Sequence, residues 1–179
     1  LAFEMISSSN LGLKENTKLK IISDLSQSIG FNGMVGGQMM DLISEGRYNQ
    51  FSPDEKYIMQ TQKLKTGALI TFSLKAGGLI GGANKEELII LEKFGEKIGL
   101  AFQIVDDILD CTSSENELGK SVDADIKLGK TTFVTLLGLQ ESKNKVKKLI
   151  QEAKIEISKI SKDVEKLIML AEFVEYRKN

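Results

Sequence analysis

Histidine and tryptophan are absent from this 179-residue sequence, and cysteine and proline occur once each. Each absence removes a class of function. Without His, neither a His-based catalytic triad nor a His-ligated zinc site can be built from this chain. The single Cys111 excludes an internal disulfide framework and fits a reducing compartment. With Pro53 the only proline, little interrupts long helices. Charge of one sign is also lacking, since 24 Lys plus Arg face 25 Asp plus Glu. No global field therefore favours nucleic acid or an anionic membrane, and any anion site must be local. No apolar run reaches the roughly 18 residues a membrane-spanning helix requires. The chain opens on residues of helical spacing rather than on a signal peptide. The expectation is a cytoplasmic protein with no stable membrane anchor and no nucleic-acid partner.

What is present is an ordinary globular composition, 41% hydrophobic and 27% charged, whose apolar residues recur at helical spacing almost throughout. Leu1, Ala2, Met5 and Ile6 already lie on a helical stripe, so the chain reads as beginning inside a helix and as part of a longer protein. Leu19, Ile22 and Leu25 within residues 16–28, and Ile29 just after them, lie on one stripe, with Gly30 as a stop. Residues 31–45 form a glycine-punctuated helix holding Met34, Val35, Met39, Leu42 and Ile43. Ser52, Pro53, Asp54 and Glu55 read as a helix start, Ser52 as cap and Pro53 in first position. That helix is predicted to run to Leu79, with Gly67 an irregularity near its middle. Gly81 and Gly82 break the pattern, and Asn84 caps a helix extending to Cys111. Residues 112–129 read as a polar loop of unusual length, a feature of functional loops. Apolar helix resumes over 131–139, followed by amphipathic helices over 145–158 and 163–177. The reading is one all-α domain, residues 1–179.

The most informative segment is Ile98 to Asp110, apolar apart from Gln103, Asp106, Asp107 and Asp110. One helical turn separates Asp106 from Asp110, placing both on one face, with Asp107 about 100° round the helix. Like charges at that spacing repel, and burial without a partner costs more. Either the aspartates line a solvent face near a helix end, or a hard divalent cation such as Mg²⁺ compensates them. Spacing alone does not choose. Downstream, Lys120, Lys127 and Lys130 are cations that would complete a diphosphate site or sit in solvent. Their Leu-Gly-Lys settings lack Walker A spacing, and no strand precedes them. Lys65 and Thr66 precede Gly67 in an apolar stretch, and Gln38 and Asp41 lie on the glycine-rich helix. For the latter pair a packing role is the plainer reading.

Taken in order, four segments resemble successive motifs of short-chain trans-isoprenyl diphosphate synthases, the family of bacterial farnesyl diphosphate synthase (geranyltranstransferase). They are GMVGGQMMDL at Gly33–Leu42, KTGALI at Lys65–Ile70, FQIVDDILD at Phe102–Asp110, and Leu118-Gly119-Lys120 with Asp123 and Gly129-Lys130-Thr131. The resemblance covers residues 1–139. It implies an all-α bundle of long helices around a central cavity, of the isoprenoid-synthase type and here partial, usually in a homodimer. It also implies joining an allylic diphosphate, dimethylallyl or geranyl, to isopentenyl diphosphate with release of pyrophosphate, farnesyl diphosphate being the expected product. By this resemblance Asp106, Asp107 and Asp110 form the second aspartate-rich motif and bind Mg²⁺. Lys65, Lys120 and, more weakly, Lys130 bind the allylic diphosphate. Thr66 and Gln103, with Lys65, lie near the reacting carbons, where Thr66 and Gln103 stabilise the carbocation. Released pyrophosphate is the final base, which suits a chain without His.

The sequence also departs from the family. A complete member carries a first aspartate-rich motif and an arginine pair on an earlier helix, and an amino-terminal Lys, Arg and His for isopentenyl diphosphate. None of these occurs here, so the chain alone is expected to be inactive. The competing readings are a longer-chain synthase, geranylgeranyl or polyprenyl, a class I terpene cyclase, and a non-catalytic helical subunit. Asp-Asp-Ile-Leu-Asp speaks against the cyclase, and intact aspartates and Lys65 speak against the subunit. Asp106→Asn is expected to abolish Mg²⁺-dependent diphosphate binding. Lys145→Ala, on a presumed solvent face, serves as its control.

Overall fold

A computed structural model describes residues 1–8, 12–45, 51–118 and 131–177, with backbone alone for 113–118. The described residues are helical, with no strand among them. The elements are α1 (Ala2–Ser7), α2 (Glu15–Ile29), α3 (Met34–Ser44), α4 (Glu55–Gln62), a π-helical turn (Lys63–Gly67), α5 (Ala68–Ile80), α6 (Lys85–Leu118), α7 (Phe133–Leu137), α8 (Leu139–Ile157) and α9 (Glu165–Tyr176).

The centre is α6, which α5 and the π turn cover on one side and α8, α9 and α7 on the other. Its inward residues Leu91, Phe94, Ile98, Ala101, Ile104 and Val105 repeat at three- and four-residue steps. They meet Val146, Ile150, Ala153 and Ile157 of α8, which keep the same period, and Ala171 and Val174 of α9. Phe94, Ala101, Ile104, Phe133, Ala153, Ile157 and Ala171 are wholly inaccessible, so this is the hydrophobic core that stabilises the chain. On the other side α5 is strongly apolar yet buries no residue fully, leaving its outer surface open.

Local chemistry sets the boundaries. Asn84 accepts from the Glu87 N–H at 2.9 Å while Glu87 accepts from the Asn84 N–H at 2.8 Å, a reciprocal cap that starts α6 as expected. The cap of α4 is Asp54, which accepts from the Tyr57 N–H; Ser52 and Pro53 lie before the helix rather than in it. The long helix expected to follow is interrupted at Gly67 by the π turn. Helix α6 continues through Leu118, beyond the predicted end at Cys111, because residues 112–118 contain neither Gly nor Pro. The helix predicted over 131–139 is shorter. Thr132 caps it, and Gly138, at φ +83°, ends it and starts α8 six residues before the position expected.

The predicted face of α2 holds apart from Leu19, since Leu25 is buried and Ile22 and Ile29 are half-buried, whereas the predicted face of α3 misses the packed residues. On α2 the buried residues are Ile21 and Leu25, and Leu19 is 63% exposed. On α3 the packed face is Gly36, Gly37 and Asp41, whereas Val35 and Met39 face outward. Hydrophobic spacing misleads on α3 because its buried residues are two glycines and an aspartate, none of which carries a hydrophobic signal.

Candidate functional site

The site is built on two close approaches between backbones. A Cβ on Gly99 of α6 would stand 2.8 Å from the Gly67 Cα, so α6 and the end of the π turn touch backbone to backbone. Farther along, a Cβ on Gly95 would lie 2.8 Å from the Thr71 Cα. These two contacts fix an antiparallel register. They place Lys65 and Thr66 level with the turn of α6 that leads into Gln103 and Asp106. The second approach is on the opposite side of the π turn, where a Cβ on Gly37 would lie 2.2 Å from the Lys65 backbone nitrogen. The π turn is therefore held between α3 and α6. Single π turns within α-helices occur often at functional positions, since the wider turn redirects side chains.

Lys65 is directed by this arrangement to Asp41, and its Nζ lies 2.6 Å from Asp41 Oδ2. Asp41 is only 7% exposed, so the packing role expected for this residue is joined by an electrostatic one. The nearby Tyr57 hydroxyl donates to the Met40 carbonyl at 2.9 Å. Burial first, and the Asp41 carboxylate second, raise the Tyr57 pKa above the ordinary phenol value, keeping it a donor.

The three aspartates of α6 have separate environments. Asp106 accepts at Oδ2 from the Gln103 amide at 2.9 Å and at Oδ1 from the Arg177 guanidinium. Asp107 turns to the side and accepts at Oδ2 from the Phe133 N–H at 2.9 Å, fastening the start of α7 to α6. Asp110 is exposed. Among the described residues no three carboxylate or thiol groups converge as a ready-made metal cage. Mg²⁺ does not require one, because it retains waters and is commonly held by one or two carboxylates together with substrate phosphates. Asp106 and Asp110, hard oxygen donors one turn apart, fit that demand. Lys120, Lys127, Lys130 and Asp123 lie outside the described residues.

Arg177 was not legible as a site residue. It donates to the Phe102 carbonyl at 3.0 Å, its guanidinium carbon lies 3.8 Å from the Phe102 ring centroid, and its side chain is 9% exposed. The partner Asp106 is 71 residues away in sequence, and no local pattern announces such a pair. Lys145, expected on a solvent face, instead pairs with Glu55 and sits 5.9 Å from the Phe133 ring centroid. It is held in the bundle and does not serve as an inert control.

Comparison with known proteins agrees with this geometry. The polyprenyl synthetase family profile matches residues 1–170. A geranylgeranyl diphosphate synthase of Cyanophora paradoxa is 35% identical over 178 residues, 99% of this chain and 58% of the relative. A farnesyl diphosphate synthase of Escherichia coli K12 is 35% identical over 182 residues, again 99% of this chain and 60% of the relative. An FPP/GFPP synthase from Zymomonas mobilis superposes with a TM-score of 0.82 at 32% identity, over 97% of this chain and 56% of that one. The chain thus spans between half and two thirds of the length of these relatives. Both the fold and the sequence over nearly its whole length place this chain in the polyprenyl synthetase family.

Proposed function

We propose that this chain is the part of a Mg²⁺-dependent prenyl diphosphate synthase that binds the allylic diphosphate. The reaction would join dimethylallyl or geranyl diphosphate to isopentenyl diphosphate and release pyrophosphate. The observation that carries this reading is the backbone contact of Gly67 and Gly99, which sets the KTG segment beside α6 with Lys65 level with the turn that leads into Gln103 and Asp106.

Asp106 and Asp110 would hold Mg²⁺, with Asp107 beside them. Bound together with substrate phosphate oxygens, the ion would supply charge neutralisation of the departing diphosphate. Lys65, Lys120 and Lys130 bind the same anion, their ammonium groups stabilising negative charge as the carbon–oxygen bond breaks. Gln103 commits its amide nitrogen to Asp106, so its carbonyl oxygen is the end available to an electron-deficient carbon. The Thr66 hydroxyl, adjacent to Lys65, serves the same carbocation. Arg177 meets Asp106 directly and is the counter-charge that a cation at this carboxylate must replace.

Farnesyl diphosphate is the product in this reading, supported by the Escherichia coli relative. A longer product is the second reading, supported by the equally similar Cyanophora relative. Product chromatography separates the two. The reading includes a cytoplasmic homodimer. No helix among the described residues is long and apolar enough to cross a membrane. Met5, Leu19 and Val35 of the first three helices present apolar surface for a second subunit to cover.

The test is thermal stability with geranyl diphosphate, with and without Mg²⁺, alongside Asp106→Asn. A magnesium-dependent rise in melting temperature that the variant lacks is the expected result. A rise of equal size in the variant would remove Asp106 from the site and overturn the proposal.

A further inference from the structure

Asp41 does not belong to the metal motif, yet its environment is unlike that of the surface carboxylates. A carboxylate in the interior is costly unless a cation and hydrogen bonds compensate it. The compensating group is Lys65, 24 residues away on another element, at 2.6 Å. In the Lys154–Glu172 pair the carboxylate side chain remains 47% exposed, whereas in this pair it is 10% exposed. The ammonium partner is not enclosed to the same degree, because the Lys65 side chain keeps 24% of its surface accessible. The pair is thus a buried anion beneath a cation that still faces outward.

Both ends are held by backbone rather than by flexible side chains. Gly37 lets α3 approach until a Cβ there would collide with Lys65 N, Lys65 Cα and the Leu64 carbonyl carbon at 2.2, 2.6 and 2.8 Å. Behind the π turn, Gly67 rests against Gly99 of α6. An unconstrained lysine has about 2 kcal/mol of rotamer entropy to lose on fixing its ammonium. Here that loss is incurred on folding, before any ligand arrives. One ammonium hydrogen is committed to Asp41, and two remain for an anion.

We propose that Asp41 is a positioning residue that pre-orients the Lys65 ammonium toward the diphosphate of the allylic substrate. This inference rests on the prenyl diphosphate synthase reading above, and it assigns to Asp41 a part in substrate affinity in addition to its part in the fold. It acts through Lys65 and touches no reacting atom.

The experiment measures Mg²⁺-dependent binding of geranyl diphosphate by calorimetry in the complete protein. The variants are Asp41→Asn, Lys65→Ala, the double variant and Asp106→Asn. Asp41→Asn is expected to weaken binding by about tenfold, the scale of one lost charge-assisted contact. The double variant should bind no more weakly than Lys65→Ala alone, since Asp41 acts only through Lys65. In turnover, KM for the allylic substrate should rise with the KM for isopentenyl diphosphate unchanged, a split that general loosening of the fold would not produce. If Asp41→Asn does not fold, Asp41→Ser, smaller and neutral, is read in the same way. Wild-type affinity in the Asp41 variant, with binding lost in Asp106→Asn, overturns this inference and leaves the functional reading standing. Additive losses in the double variant overturn it as well. Absence of binding by the unmodified protein overturns the functional reading and this inference with it.

Discussion

Two glycines in the same chain lead to opposite predictions for the same substitution. At Gly37 an added Cβ would stand 2.2 Å from the Lys65 nitrogen and 2.6 Å from its Cα. Carbon atoms in contact normally lie about 3.5–4.0 Å apart, so α3 and the π turn would have to separate by more than about an ångström. Backbone cannot swing aside as a side chain does. Overpacking costs about 1–3 kcal/mol, here about 2–3 because the obstacle is backbone, and the better helix propensity of Ala returns about 1 kcal/mol at most. Gly37→Ala is therefore expected to destabilise by about 1–2 kcal/mol or more. At Gly77 of α5 an added Cβ meets nothing within 4 Å, and the backbone is ordinary helix. Gly77→Ala should stabilise by about 0.5–1 kcal/mol through helix propensity and a less flexible unfolded chain. The two variants should thus differ by about 2 kcal/mol. With urea m-values of about 1–3 kcal/mol/M, their unfolding midpoints should be separated by about 1 M, read by circular dichroism. A Gly37→Ala variant as stable as the unmodified chain would show that α3 and Lys65 are not in backbone contact. Nothing on the α3 side would then hold Lys65 in its orientation.

Arg177→Gln removes the cation that competes for Asp106 and should tighten Mg²⁺ binding about threefold to tenfold, the scale of one ion pair near 1 kcal/mol. Calorimetry decides, and weaker binding would mean that Arg177 aligns the carboxylate instead of competing for it. Ile150→Ala, at a site 1% exposed between α6 and α8, should cost about 2–5 kcal/mol in urea unfolding; a loss below about 1 kcal/mol would contradict the core assignment. Asp107→Ala leaves the Phe133 N–H without its acceptor and should cost about 1–3 kcal/mol, with hydrogen exchange speeding first in α7. The lowered pKa values of Glu87, through the Asn84 N–H and then Lys162, and of Glu152, through Lys97, predict acid sensitivity. A carboxylate depressed in the folded state contributes fully above its unfolded pKa, and the contribution is lost as pH falls through the folded value. Unfolding midpoints should thus decline only once pH drops below the ordinary carboxylate range, and Lys97→Met should make that decline shallower. An unchanged slope would remove the Lys97–Glu152 pair from the account.

The sequence by itself determined the helical class, because apolar residues recurring every three or four positions in the absence of interior prolines admit little else. It determined the Asn84 cap, the break at Gly81 and Gly82, and the irregularity at Gly67, since those rest on contacts within a few residues. It also carried the motif residues Lys65, Thr66, Gln103, Asp106, Asp107 and Asp110, whose local spacing is fixed by the helix. Only the tertiary structure decided which faces those helices bury. On α3 the packed surface is Gly36, Gly37 and Asp41, and hydrophobic spacing missed it, because contact through glycine backbone has no hydrophobic signature. Pairing across the fold was equally hidden. Lys65 meets Asp41 because α3 packs on the π turn through Gly37, and Asp106 meets Arg177 because α9 packs on α6. A charge carries no sequence mark of its partner, and the partner exists only once the helices have packed.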